Sequence, residues 1–160
     1  MKIIARIAIA TLAVFTFAPP ALAGHHEAGE TSAPPEPAFI AQAADEIVLQ
    51  PVPGLEGLTA AVLFGKPEKP GPYVLRIRFD SDVRSPPHSH DQDRFITVID
   101  GTWHFGVGAS GSCDGTKPLT AGSFAFHPAG AIHYDGSCGK PVTVEIRGQG
   151  PVSTDFVRLR

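Results

Sequence analysis

Beyond residue 40, apolar and polar positions alternate with the period of two that marks a half-buried strand, not the 3.6 of a helix. Tyr73, Leu75, Ile77 and Phe79 fall on one face, Val74, Arg76 and Arg78 on the other, which predicts a strand with one side on a core. Leu58 to Phe64, Phe95 to Ile99, Thr102 to Val107, Ser123 to His127, Val142 to Arg147 and Val152 to Leu159 also read as short strands. Between them lie Gly/Pro-rich connections such as GKPEKPGP at 65–72 and GVGASGSCDGTK at 106–117, and Asp100-Gly101 reads as a tight hairpin turn. A helical turn is expected over Phe39 to Ala44, then an entering strand at Glu46 to Leu49. About ten short strands without an internal helix predict an all-β domain, a double-stranded β-helix of jelly-roll type. Arg76 and Arg78 are expected on its solvated or subunit-contact face.

The first 23 residues break this pattern. Lys2 and Arg6 precede an apolar run from Ile7 to Phe17, and Ala21-Leu22-Ala23 is a small-x-small cleavage site, so residues 1–23 read as a signal peptide. Residues 24–37 (GHHEAGETSAPPEP) have nothing apolar to bury and read as a disordered tether, which leaves 38–160 as one domain. The expected location is periplasmic or secreted, with no membrane attachment after cleavage. Cleavage removes two positive charges and no negative ones from a chain of formal net charge −3, so no basic stripe for nucleic acid is present. Cys113 and Cys138 are the two cysteines, and in an exported chain an even count predicts a disulfide. If cleavage falls after Ala23, the new terminus Gly24-His25-His26 offers a square-planar set of nitrogens to Cu(II) or Ni(II) through His26. A hydrophilic tail that happens to carry histidine is the preferred reading of that segment.

Histidines carry the chemistry. His88 and His90 stand two apart, so on a strand both leave the same face, and Pro86-Pro87 before them favour extended backbone. His133 follows the bend Pro128-Ala129-Gly130. Together these segments resemble the cupin superfamily. The spacing of its first motif is met at His88, His90 and Gly101, with Asp82 in place of the leading glycine and Arg94 in place of the glutamate. Its second is met at Gly122, Pro128, Gly130 and His133, with Ser137 in place of asparagine. The resemblance spans roughly residues 82 to 137 and implies a cupin barrel. It also implies that His88, His90 and His133 hold one divalent transition metal (Fe, Zn, Ni, Mn or Cu) inside it. Because related barrels often pair through edge strands, it admits a homodimer.

A guanidinium has no acceptor and stays protonated, so Arg94 cannot coordinate. Three readings stand: Arg94 clamps an anionic substrate beside a three-histidine metal, Asp91 or Asp93 completes the site, or the metal is lost and Arg94 turns out to pair with Asp91 or Asp93. Tyr134, next to His133, is a candidate phenol near an open coordination position, although with Trp103, Phe105, Phe124 and Phe126 it reads first as barrel packing. His104 and His127 are expected at the rim or surface. The favoured function is a metal-dependent enzyme of oxygenase, isomerase or lyase type on a small organic anion, with Arg94 and Tyr134 as candidate catalytic residues. The competing class is a non-catalytic binding protein for a small ligand or a metal.

Overall fold

In the computed structural model, which describes residues 38–157, eleven strands form two antiparallel sheets. They are β1 (Gln50–Pro51), β2 (Leu58–Phe64), β3 (Gly71–Phe79), β4 (His88–His90), β5 (Arg94–Asp100), β6 (Thr102–Val107), β7 (Lys117–Thr120), β8 (Phe124–His127), β9 (His133–Gly136), β10 (Val142–Gly150) and β11 (Thr154–Phe156). One sheet runs β1-β2-β3-β10-β5-β8 and the other β11-β4-β9-β6-β7. This is the jelly roll expected from the alternation. The signal peptide, the tether and the His26 position fall at residues 1–37, outside the described residues.

The core is built of cross-strand rows. Phe79 faces Val142; Ile77, Val144 and Val98 form the next row; Leu75, Ile146, Ile96 and Ala125 form the row after it. Directly opposed residues of antiparallel strands project to the same side, so each row presents one continuous apolar surface inward. The alternation over 73–79 is therefore the inner wall of the first sheet. On its outer side Arg76 pairs with Glu145 at 3.2 Å, and Arg147 reaches the same carboxylate at 2.9 Å.

Three local expectations are corrected. The turn near the start is a 3-10 segment at Ala44–Glu46, where the Ala43 amide donates to the Glu46 carboxylate, and pairing begins only at Gln50 against Ala60. Lys117–Thr120 is a strand although it contains Pro118, because β7 sits at a sheet edge where a missing N–H is tolerated. Phe124 and Phe126 do not pack the barrel: they lie 62% and 46% exposed beside Phe95, while Ala125 and His127 take the inward positions of β8.

Cys113 and Cys138 form the disulfide, tying the loop after β6 to the loop after β9. The Arg84 guanidinium lies over it, donating to Cys113 Sγ at 2.9 Å and to the carbonyls of Gly111 and Ser137. Closing a loop of 25 residues restricts the unfolded chain. Cys113→Ser with Cys138→Ser is therefore expected to lower unfolding free energy by roughly 3 kcal/mol, read as a lower urea midpoint. An unchanged midpoint contradicts this.

Candidate metal centre

One further row of the first sheet lies above the apolar ones, and it is polar. Tyr73 on β3 faces Gly148 on β10, Gly148 faces Arg94 on β5, and Arg94 faces His127 on β8. A Cβ on Gly148 would stand 2.6 Å from Tyr73 Oη, so the absence of a side chain there lets the phenol cross toward Arg94. Arg94 Nε and Tyr73 Oη are buried and have no hydrogen-bond partner among the described residues. Desolvation lowers the Arg94 pKa from its ordinary value, opposed by Tyr73, Asp135 and Asp91. The group remains a cation.

The second sheet brings in the other imidazoles. His88 faces His133 across β4 and β9, and His90 leaves the same side of β4. Ring centroids lie 4.4 Å apart for His88 and His133, 4.8 Å for His88 and His90, and 5.3 Å for His90 and His133. Their ligand atoms fall within 4.8 Å of one another. Each ring has Nδ1 against a backbone carbonyl: His88 donates to Pro86 at 2.7 Å and His133 to Ala131 at 2.9 Å, and His90 lies 3.2 Å from that of Ser153. A carbonyl can only accept, so Nδ1 of His88 and of His133 carries the proton and the lone pair sits on Nε2. That is the tautomer a metal needs, already oriented by its outer partner. Nδ1 of His90 also lies 3.1 Å from the Thr154 hydroxyl, which can donate as well as accept.

Burial, and after it the Arg94 and His88 charges, lowers the pKa of His90 to about 3. Burial likewise brings His127 to about 2, helped by His133 and His90, and lowers His133. His90, His127 and His133 therefore stand as neutral bases. These imidazoles and Arg94 top a cavity of about 190 Å³ whose floor is Leu75, Ile77, Val144 and Ile146.

Several sequence expectations are settled by where side chains point. Asp91 accepts from the Ser153 amide at 2.7 Å and Asp93 from the Ala129 amide at 2.8 Å, so both fasten loops. Neither completes the site, and neither pairs with Arg94 among the described ion pairs. Tyr134 lies between His133 and Asp135, which both line the cavity, so it takes the opposite face of β9. There its ring covers Gly106, leaving no room for a Cβ. A catalytic role for Tyr134 is corrected on that ground. His104 meets Thr116 at 3.0 Å, away from the cavity. His127 is 4% exposed and lines the cavity, contrary to its expected rim position. Asp135, Tyr73 and Gly148 were also missed; period two from His133 reaches Asp135 within β9, whereas Tyr73 and Gly148 join Arg94 only through the register of β3, β10 and β5.

Residues 40–145 match the family described as Domain of unknown function (DUF4437). The chain belongs to this family, and its fold is that of the cupins. The polyketide cyclase RemF of Streptomyces resistomycificus superposes with a TM-score of 0.66 over 77% of this chain and 88% of its own, at 17% identity. An RmlC-like cupin from Shewanella frigidimarina gives 0.54 over 70% and 91%, at 22% identity. A sugar phosphate isomerase of the cupin superfamily from Silicibacter pomeroyi gives 0.57 over 75% and 83%, at 19% identity. No curated protein sequence matches the chain.

The cupin's donor set fits a divalent transition metal: three clustered imidazoles, each oriented by a hydrogen bond at Nδ1, and a buried His133 Nε2 with no partner among the described residues. For the metal-free protein the lowered pKa values set a pH dependence. Between about 6.5, the value for an unperturbed histidine, and about 3, the unfolded chain binds protons that His90 and His127 refuse in the fold, so stability falls as pH falls. The melting temperature of metal-free protein should drop on going from about pH 7 to about pH 5, above most carboxylate titration. A level Tm across that interval contradicts neutral burial.

Proposed function

We propose that this cupin is a metal-dependent enzyme acting on a small organic anion, with the ion held by Nε2 of His88, His90 and His133. The observation that carries the reading is the convergence of those three imidazoles with every Nδ1 within hydrogen-bond distance of a backbone carbonyl. A core histidine placed only for packing has no need to aim its free nitrogen at two others. When bound, the ion supplies Lewis acidity toward a substrate oxygen or water, or O2 chemistry if it is redox-active.

The chain's own residues supply selection. Arg94 presents its charge from the polar row beside the imidazoles, and a guanidinium matches the two oxygens of a carboxylate. Leu75, Ile77, Val144 and Ile146 receive an apolar body and exclude water from it. At about 190 Å³ the cavity is below the range of drug-sized sites, roughly 300 to 1,000 Å³. The substrate is accordingly small. A polyketide cyclase and a sugar phosphate isomerase among the structural neighbours support an enzyme on this scaffold, while their low identity carries no substrate across. Export is part of the proposal, resting on the disulfide and on residues 1–23.

His133→Ala is expected to remove stoichiometric metal from protein purified out of the native cell envelope, by elemental analysis, with the far-UV spectrum intact. Wild-type metal content in that variant would end the reading. Arg94→Glu removes a cation and restores a carboxylate, so divalent-metal affinity should rise by at least about tenfold in a chelator competition. A fall would show that Arg94 is built into the wall for structural reasons.

A further inference from the structure

Arg84 stands where a plain structural tie needs no cation. The backbone sets it beside the disulfide independently of the sulfurs. Arg84 and Gly136 form an isolated antiparallel bridge, the Ser85 amide donates to the Asp135 carbonyl at 2.8 Å, and the Ser137 amide donates to the Val83 carbonyl at 2.8 Å. Nε of Arg84 donates to the Gly111 carbonyl at 3.4 Å. Its Nη1 has the Ser137 carbonyl at 3.4 Å, Cys113 Sγ at 2.9 Å and Cys138 Sγ at 3.9 Å. The shortest contact is thus to a sulfur, the poorest kind of acceptor in the set. No carboxylate pairs with Arg84 among the described ion pairs. A neutral disulfide gives this cation little, whereas a thiolate at Cys113 would accept a charge-assisted hydrogen bond from the guanidinium where it stands. The two sulfurs also differ in access. Cys138 lines a surface cavity of about 250 Å³ with Gly101, Thr102, His104 and Lys140, and Cys113 does not line it. Lys140 is exposed and brings a second cation to that mouth, while His104 is held by Thr116 at 3.0 Å. The acid adjoining Cys113, Asp114, is exposed to solvent.

We propose that Cys113–Cys138 is an exchangeable disulfide, opened by an external dithiol that attacks Cys138 and expels Cys113 as a thiolate onto Arg84. In the first step a thiolate of the dithiol, drawn toward Lys140, attacks Cys138 Sγ. A bond forms between those two sulfurs, the bond from Cys138 to Cys113 breaks, and its electron pair leaves on Cys113 beside Arg84. In the second step the dithiol's other sulfur, deprotonated, attacks the dithiol sulfur of the mixed disulfide. The reductant closes to its own disulfide, and Cys138 leaves as a thiolate that takes a proton from water. The protein gains two electrons and the dithiol loses two. A stabilised leaving thiolate departs faster, so Arg84 sets the direction of attack as well as its rate. Departure of Cys138 instead would put the new charge 3.9 Å from Nη1. The exchange unties the loop after β6 from the loop after β9, the strand that begins at His133.

The test treats oxidised wild-type protein with glutathione, a monothiol that stops at the first step, quenches with iodoacetamide and maps both cysteines by peptide mass spectrometry. Glutathione on Cys138 with the alkyl group on Cys113 should exceed the reverse pattern by at least about tenfold, the scale of one hydrogen bond to a charged group. The reverse pattern, an equal mixture, or reaction only in denaturant overturns the proposal. The part played by Arg84 is read in Cys138→Ser, from the pH midpoint for alkylation of the freed Cys113. Adding Arg84→Gln should raise that midpoint by at least about one pH unit. Glutamine keeps N–H donors for the loop carbonyls, so an Arg84 that serves only to hold those loops leaves the midpoint where it was, and that result also overturns the proposal. If either variant fails to fold, the ratio of Cys138 to Cys113 adducts in wild type decides.

Discussion

The arrangement depends on the hydrogen bonds that hold Nδ1 of His88, His90 and His133 against backbone carbonyls. Burial disfavours the charged form of His90 and His133, and a neutral imidazole can present its lone pair from either nitrogen. The carbonyls of Pro86 and Ala131 remove that choice for His88 and His133, while that of Ser153 shares Nδ1 of His90 with the Thr154 hydroxyl. Their positions are themselves secured: Asp91 accepts the Ser153 amide, and Asp93 accepts the Ala129 amide two residues before Ala131. The acids that looked like spare ligands thus act one layer further out, fixing the loops that fix the rings.

Arg94 is the second constraint. Its guanidinium stands in a row with Tyr73, Gly148 and His127, with its Nε unpaired among the described residues. A partly desolvated cation without a carboxylate partner is costly unless an anion visits it. Burial and this cation together depress the histidine pKa values, so the group that would attract an anion also keeps the bases deprotonated. On the proposed reading, ligand selection and metal readiness rest on one electrostatic arrangement.

The fold was legible because strand alternation and motif spacing are both local. Tyr73 to Phe79 announce the inner wall by period alone, and His88, His90 and His133 announce a site by their intervals. What stayed hidden depended on register. Nothing in Phe124-Ala125-Phe126-His127 says which pair turns inward, since apolar and aromatic residues suggest the phenylalanines. Pairing of β8 with β5 reverses that by placing His127 opposite Arg94. Tyr134 failed for the complementary reason: adjacency to His133 in sequence means the opposite face on a strand.

The departures from the cupin motifs are not independent losses. Asp82, in place of the leading glycine, keeps the left-handed backbone that position imposes, with φ at 59°, a conformation aspartate tolerates better than most side chains. Its amide donates to the hydroxyl of Ser137, the residue in place of asparagine, and Ser137 donates in turn to the Lys140 carbonyl. Two substitutions in different motifs thus meet in one hydrogen-bonded joint beside the disulfide. Arg94 and His127 meet in the same way across β5 and β8. In the first case the pair keeps the turn geometry at the start of the motif; in the second it sets a cation and a neutral base side by side at the cavity wall, Arg94 on β5 and His127 on β8.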